Sequence, residues 1–300
     1  MRVLVTGCKG FVGHWLISHL ESSGDEVIGI DAEVDITDPP VIAAAVRAIG
    51  PEAIYHLAAQ ASVGTSWENQ APTYQVNTLG VVNVLEAAAG CAHRPRVLLV
   101  SSAEVYGRVS PDQLPVGEDH QLAPVSPYAA SKAAAEFVGV QAWLGTGLEV
   151  IRVRPFNHTG PGQGPGFVVP SLAKQIAEAV ASGADSLVTG NLDARRDLTD
   201  VRDVVRAYRS LVASGAPGEV YNVCRGESVP IHSVAERLLG LAGVEVPIVV
   251  DPARLRPSDI PDMRGDPGRL HATTGWVPEI PLEDTLRDVL AYWRMAGPVQ

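Results

Sequence analysis

The chain of 300 residues is short of cysteine, of positive charge and of long apolar runs. Its three cysteines, Cys8, Cys91 and Cys224, are odd in number and far apart. They offer no disulfide framework and no metal-ligand spacing, so no metal site is expected and a reducing compartment is the simple reading. Cys8 reads as a small packed turn residue in preference to a reactive thiol. No apolar run approaches the ~20 residues that a membrane helix requires. A β-branched run opens the chain with nothing leader-like before it, so a cytoplasmic protein without a signal peptide is expected. The formal net charge of −11 argues against nucleic acid or an anionic membrane as the main partner. It leaves room for a small anionic ligand held by a few local arginines. Long repeats and low-complexity linkers are also missing.

What is present has the balance of a globular chain, 46% hydrophobic and 19% charged. That length suits one large domain or two fused lobes with ample core. The informative stretch is the first. Arg2 to Thr6 reads as a buried strand, followed by Gly7, Gly10 and Gly13 and then a helical pattern through Phe11, Trp15, Leu16 and Leu20. A strand turning through glycines into a helix gathers backbone N–H groups and the positive helix end at one point, which suits a pyrophosphate. Gly7, Gly10, Phe11, Val12 and Gly13 are therefore cofactor candidates. The spacing is G-x-x-G-x-x-G, not the commoner G-x-G-x-x-G, and an ordinary tight strand–helix turn is the bland alternative.

The rest of the first half alternates strand and helix. Val27 to Ile30 forms a second strand ending at Asp31, where an acid can accept hydrogen bonds from an adenosine ribose. A turn or capping aspartate is the alternative, and the glycines tip the balance to the ribose. The turn that follows, with Asp35 and Ile36 as adenine-edge candidates, contains no Arg or Lys to meet a 2′-phosphate. NAD(H) is therefore preferred, with NADP(H) admissible. Ala53 to Leu57 is strand three, with Leu57, Ala58 and Ala59 small enough at its end to let a cofactor pass. His56 reads as structural. A long helix over 72–90 contains Asn77, a further cofactor candidate. Strand four, 96–101, runs into Ser102, Ala103 and Glu104. This order predicts an α/β fold with a Rossmann-type, doubly wound parallel sheet.

Ser126 and Pro127 start the next helix, as cap and first-turn proline. It carries Tyr128 and Lys132, four apart and so on one face. A phenol ionises near pH ~10, and a neighbouring ammonium is expected to draw that value towards neutrality. Such a tyrosine exchanges a proton with a sugar or alcohol oxygen. Ser102 is the second hydrogen-bonding group. A Tyr–Lys pair at this spacing also arises by chance, and capping a turn is the alternative role of the serine; the order of strand, serine and helix favours a shared site. Strand five, 148–153, leads into a Gly/Pro-rich loop holding Pro155, Asn157 and His158, the last read as a loop anchor. From Phe167 the pattern changes to short strands and helices, including helices near 167–182 and 203–214 and a strand at 220–223. The expected division is a dinucleotide domain over 1–165 and a smaller C-terminal α/β substrate lobe over 166–300, with some chain exchange. Arg195, Arg196 and Arg254 are candidate phosphate clamps, with surface ion pairing the alternative for Arg195 and Arg254.

Taken together, Thr6-Gly7-x-x-Gly10-x-x-Gly13, Asp31, His56-Leu-Ala-Ala, Ser102 and Tyr128-x-x-x-Lys132 resemble the extended short-chain dehydrogenase/reductase family of nucleotide-sugar enzymes. Pro155-Phe-Asn157, Arg196-Asp197 and Arg256-Pro-Ser-Asp259 match the same family, and the likeness covers essentially the whole chain. It implies Tyr128 as acid/base, Lys132 on the nicotinamide ribose and Ser102 on the sugar oxygen, with Pro155 against the nicotinamide. Asn157, Arg196 and Arg256 would hold the nucleotide sugar, Ser62, Glu104, Val168 and Asp259 are further substrate-side candidates, and Glu104 is also a catalytic candidate beside Ser102, Tyr128 and Lys132. It also implies a homodimer through helices 72–90 and 127–144. Several stretches, among them Arg154-Pro-Phe-Asn-His-Thr-Gly and Arg195-Arg-Asp-Leu-Thr-Asp, are most similar to the branch that reduces a GDP-linked 4-keto-6-deoxy sugar. A 4,6-dehydratase would use Glu104 to remove a C5 proton, but dehydratases with an Asp-Glu pair carry an acid where this chain has Ala103. A 4-epimerase shares every motif named. A nucleotide-sensing protein without catalysis would not need Ser102, Tyr128 and Lys132.

Overall fold

The computed structural model describes residues 1–183, 186–252 and 260–296. In chain order the first lobe runs β1 (Arg2–Thr6), α1 (Phe11–Ser22), β2 (Glu26–Ile30), α2 (Pro39–Ile49), β3 (Ala53–His56) and α3 (Val63–Glu68). It continues through α4 (Gln70–Tyr74), α5 (Gly80–Ala89), β4 (Arg96–Val100), α6 (Pro127–Thr146) and β5 (Val150–Pro155). Between α4 and α5 lies a π-helical segment, Gln75–Leu79, so the helix expected over 72–90 is interrupted. Such wide turns often mark functional sites, and no sequence period reveals them.

Then follow β6 (His158–Thr159), α7 (Val168–Ser182), β7 (Leu187–Thr189), β8 (Arg195–Asp197), β9 (Thr199–Asp200), α8 (Val201–Ser214) and β10 (Val220–Val223). The chain ends with β11 (Ser228–Pro230), α9 (Ile231–Ala242), β12 (Ile248–Val250), β13 (Asp262–Met263), α10 (Gly268–Thr274) and α11 (Leu282–Ala296).

Six strands form the main sheet in the order β10-β5-β4-β3-β1-β2, and every pairing is parallel. Alternation along the strands decides which residue meets which helix layer. Val3, Val5, Tyr55, Leu98, Ile151 and Val153 pack with α1 and α8 through Leu16, Leu20, Val204 and Tyr208. Leu4, Ile54, Val97, Leu99 and Val150 pack with α2, α5 and α6 through Ile42, Val84, Leu85 and Ala135. Fully burying a side chain such as Leu4 or Leu98 contributes about 1.5–3 kcal/mol. The winding reverses at β1, which lies between β2 and β3. A ligand crevice is expected outside the carboxyl ends of strands at such a reversal.

The smaller lobe packs α7, α9 and α11 around Leu172, Ile176, Val234, Leu238, Leu286 and Trp293. Its boundary differs from the one expected at 166. Helix α8 and strand β10 return to the first lobe, where Val205, Leu211, Tyr221 and Val223 complete its core. Helix–strand patterning at 201–223 is equally compatible with either lobe; the pairing of β10 with β5 is what assigns it. The pair β6–β9 joins the two lobes at the end of β5.

Candidate active site

The glycine loop forms because two positions, Gly7 and Gly13, exclude side chains. Gly7 has φ +72°, and a Cβ there would lie 2.8 Å from the Ala58 amide nitrogen at the end of β3. A Cβ on Gly13 would lie 2.3 Å from the Gly7 carbonyl oxygen. Gly10 caps α1, whose first turn starts at Phe11. The first-turn N–H groups of Phe11, Val12 and Gly13 point out of the helix start, where an anion is favoured. Leu57, Ala58 and Ala59 lie half-buried beside this loop. The cradle fits a dinucleotide pyrophosphate: only residues without Cβ fit at Gly7 and Gly13. Cys8 is packed under Gly29, and burial with the nearby Asp31 and Glu33 carboxylates raises its thiol.

Asp31 stands at the loop. Its Oδ2 accepts from the Lys9 amide at 2.8 Å and its Oδ1 from the Ala32 amide at 2.9 Å. The Lys9 ammonium reaches Glu33 Oε2 at 2.8 Å. The turn after Asp31 thus does face a basic side chain, supplied from the glycine loop. Reading only the residues that follow Asp31 misses it.

Three cofactor candidates have other employment. The Asp35 carboxylate closes its own turn, accepting from the Thr37 amide and hydroxyl at 2.8 Å each. Ile36 is a core residue of the α2–α5 layer. Asn77, in the π segment, accepts from the Gln60 amide at 2.8 Å and donates to the Gln60 carbonyl and to Ser131 Oγ, each at 3.0 Å. Both amide hydrogens are committed, so Asn77 clamps the β3 exit to α6. His56 is structural as expected, its Nδ1 2.8 Å from Thr6 Oγ1, and burial pushes it down to about 3.

Ser126 caps α6 through the Ala129 amide, which brings Tyr128 against the turn after β4. Ser102 opens that turn, accepting from the Glu104 amide at 3.2 Å, and its side chain lies near enough to Tyr128 to act on the phenol. Lys132 is buried and its ammonium donates to the Val100 carbonyl at 2.9 Å. Serine, tyrosine and lysine therefore meet at the carboxyl end of β4. The expected lowering of the phenol is not found. Burial raises Tyr128 to about 12, the nearby Ser102 hydroxyl opposes this, and the Glu104 charge adds to it. The Lys132 ammonium is turned to Val100, and burial brings it down to about 8 against the pull of Glu136.

On the far side, Pro155 ends β5 in a buried position and Asn157 is exposed beyond it. His158 donates from Nδ1 to the Phe156 carbonyl at 2.9 Å and stacks on Phe11 with ring centroids 6.3 Å apart. It anchors the loop to the glycine turn. Val168 opens α7, while Ser62 caps α3 through the Thr65 amide. Arg196 reaches the Arg195 and Ile260 carbonyls at 2.8 and 2.7 Å. Arg195 is held by Ser228 and by Asp262 at 3.8 Å, the ion-pairing alternative. Arg254, Arg256 and Asp259 lie outside the described residues. Sequence reading overlooked Ser101, Glu136 and Arg154, a buried cluster beneath Lys132. The four-residue spacing of Tyr128, Lys132 and Glu136 was the available signal.

Comparison with known proteins places this geometry. A family model described as GDP-mannose 4,6 dehydratase matches residues 31–289. The chain is 39% identical to GDP-6-deoxy-D-mannose reductase of Pseudomonas aeruginosa, with 97% of each chain covered. It is 30% identical to UDP-glucose 4-epimerase of Mycolicibacterium smegmatis, over 98% of this chain and 99% of that one. A solved structure described as RMD from Pseudomonas aeruginosa complexed with NADPH superposes with a TM-score of 0.91 at 37% identity, covering 99% of this chain and 100% of that one. The chain accordingly belongs to the GDP-mannose 4,6-dehydratase family, within the epimerase/dehydratase group of NAD(P)-dependent Rossmann-fold enzymes.

Proposed function

We propose that this protein reduces the C4 keto group of a GDP-linked 4-keto-6-deoxy-hexose, converting GDP-4-keto-6-deoxy-D-mannose to GDP-D-rhamnose with NAD(P)H. The observation that carries this reading is the Ser102–Tyr128–Lys132 meeting point in a chain 39% identical, end to end, to a GDP-6-deoxy-D-mannose reductase. Gly7, Gly10, Phe11, Val12 and Gly13 would hold the dinucleotide pyrophosphate, and Asp31 its adenosine ribose. Pro155 would lie against the nicotinamide. When bound, NAD(P)H supplies the hydride.

The chain supplies the proton and the orientation. With its phenol raised to about 12, Tyr128 is protonated at neutral pH. It is the acid that hands its proton to the C4 oxygen as negative charge develops there. Ser102 would hydrogen-bond the same oxygen, and Lys132, one turn along α6, would supply the countercharge to the phenolate once its ammonium swings from the Val100 carbonyl. Ser62, Asn157, Val168 and Arg196 form the sugar-nucleotide side. A cytoplasmic setting fits the three free thiols. A homodimer through the α4–α5 and α6 helices fits the exposed Phe137 and Leu144 on α6 and Leu79 beside it.

The test is absorbance at ~340 nm with NADPH or NADH and the keto sugar generated in situ. Coenzyme oxidation equal to the new 6-deoxy sugar formed is expected. No oxidation, with C4 isomers interconverting on tightly held NAD, would replace this reading by a 4-epimerase. Loss of water from GDP-mannose without net coenzyme use would replace it by a dehydratase.

A further inference from the structure

Helix α6 carries a third polar residue on the face of Tyr128 and Lys132. Glu136 lies one turn beyond Lys132, with its side chain only 2% exposed. A carboxylate so deep is costly unless paired and hydrogen-bonded, and this one is both. Its Oε1 accepts from Ser101 Oγ at 2.5 Å and from Arg154 Nε at 2.9 Å. Its Oε2 accepts from Arg154 Nη2 at 2.7 Å, with Arg152 Nη1 3.6 Å away. Arg154 in turn donates from Nη1 to Tyr106 Oη and the Glu118 carbonyl, each at 2.9 Å.

Ser101 is the residue between two groups of the active site. Before it stands Val100, whose carbonyl accepts from the Lys132 ammonium. After it stands Ser102, which faces Tyr128. Its own amide donates to the Val153 carbonyl at 2.8 Å, fixing it to β5. The grip on Ser101 therefore sets both neighbours at once.

We infer that Glu136 is a positioning residue of this active site: through Ser101 and Arg154 it fixes the β4 exit that presents Ser102 and the Val100 carbonyl, and it is the buried countercharge to Lys132. The inference rests on the reading of Ser102, Tyr128 and Lys132 as the reacting constellation. Lys132 is faced by Glu136 on its own helix, by His56 from β3 and by the Val100 carbonyl from β4, with Tyr128 one turn before it on α6. Arg152 and Arg154 from β5 face Glu136, and Glu104 from the turn after β4 faces Tyr128. Glu136 is thus the anion that balances three buried or half-buried cations. Its loss leaves Lys132 among uncompensated positive charge, and the ammonium then gives up its proton at lower pH.

The experiment is the pH profile of kcat/KM for keto-sugar reduction in the wild type, Glu136→Gln, Glu136→Asp and Ser101→Ala. In E136Q the alkaline limb is expected to move down by about one pH unit, with activity recovering on the acid side and E136D partly restoring the wild-type limb. In S101A, kcat is expected to fall about tenfold with the limb unmoved, since the charge remains. An E136Q enzyme that loses activity equally at every pH, or loses none, overturns the inference. If E136Q does not fold, S101A decides: wild-type kcat there overturns it. Tyr128→Phe run alongside separates the two claims, because full turnover in Y128F sinks the reading of the site whatever Glu136 does.

Discussion

The backbone amide of Lys9 donates to Asp31 Oδ2 at 2.8 Å, and the Lys9 ammonium bonds Glu33 Oε2 at the same distance. The glycine loop and the end of β2 are thereby latched where an adenosine ribose would lie. An ammonium there is in reach of a 2′-phosphate, and a carboxylate there suits a free 2′-hydroxyl. The two groups together suit both coenzymes, and Lys9 serves only the phosphorylated one. In Lys9→Ala, kcat/KM for NADPH is expected to fall about tenfold while that for NADH changes by less than about threefold. Steady-state kinetics with both coenzymes decide it; equal loss for the two would remove Lys9 from coenzyme choice.

The glycine loop makes a second test that depends on volume alone. A Cβ on Gly13 would stand 2.3 Å from the Gly7 carbonyl oxygen and 2.8 Å from that of Cys8, both backbone atoms that cannot turn aside. The cost of such overpacking is about 1–3 kcal/mol, and α1 must shift off the loop. Gly13→Ala is expected to lower Tm and weaken coenzyme binding at least tenfold, measured by fluorescence titration. Gly117→Ala, where a Cβ would meet nothing within 4 Å, serves as the control and leaves both unchanged.

These two sites show what a sequence makes legible. The glycines, Asp31, Ser102, Tyr128 and Lys132 are close along the chain or sit at strand ends, so strand–helix alternation suffices to bring them to one edge. The parallel sheet followed from the same alternation. Lys9 escaped because its partner, Asp31, is joined to it only by the pairing of β1 with β2. Arg154 and Glu136 escaped for the same reason, on β5 and α6. The phenol was misjudged because spacing on a helix face says nothing of where an ammonium points; Lys132 turns to Val100, and burial then dominates Tyr128. Which segments cross back between the lobes is not legible in the sequence: the return of β10 and α8 to the first lobe is revealed only by the sheet order.

The exposed face of α6 bears on assembly. Phe137 is 66% exposed and Leu144, seven residues on, is 76% exposed. Two turns of helix bring them to one stripe. A partner copy covering this stripe removes large apolar side chains from water, the main source of association energy in permanent dimers. The wild type is expected to show twice the chain mass by light scattering, and Phe137→Asp with Leu144→Asp to show a single chain mass. A monomeric wild type would dispose of the dimer.

The proton donor can be isolated by chemistry. Tyr128 holds its proton through the neutral range because burial and the Glu104 charge raise the phenol to about 12. Lys132, brought down to about 8, loses its proton first. In the proposed mechanism reduction consumes the phenol proton, and the Lys132 ammonium would turn from Val100 to the resulting phenolate. Turnover in the reductive direction should therefore hold at neutral pH and fall as pH rises through about 8, the value of Lys132, well before the phenol ionises. Oxidation of the 6-deoxy sugar, run in reverse, requires the phenolate and should gain with pH over the same range. Tyr128→Phe keeps the ring and removes the proton; kcat should drop by roughly 10²–10⁴. Ser102→Ala removes one hydrogen bond and should cost about tenfold. Stopped-flow oxidation of NADPH with the keto sugar separates the two losses. Turnover of Y128F within threefold of wild type would show that another group, or water, delivers the proton.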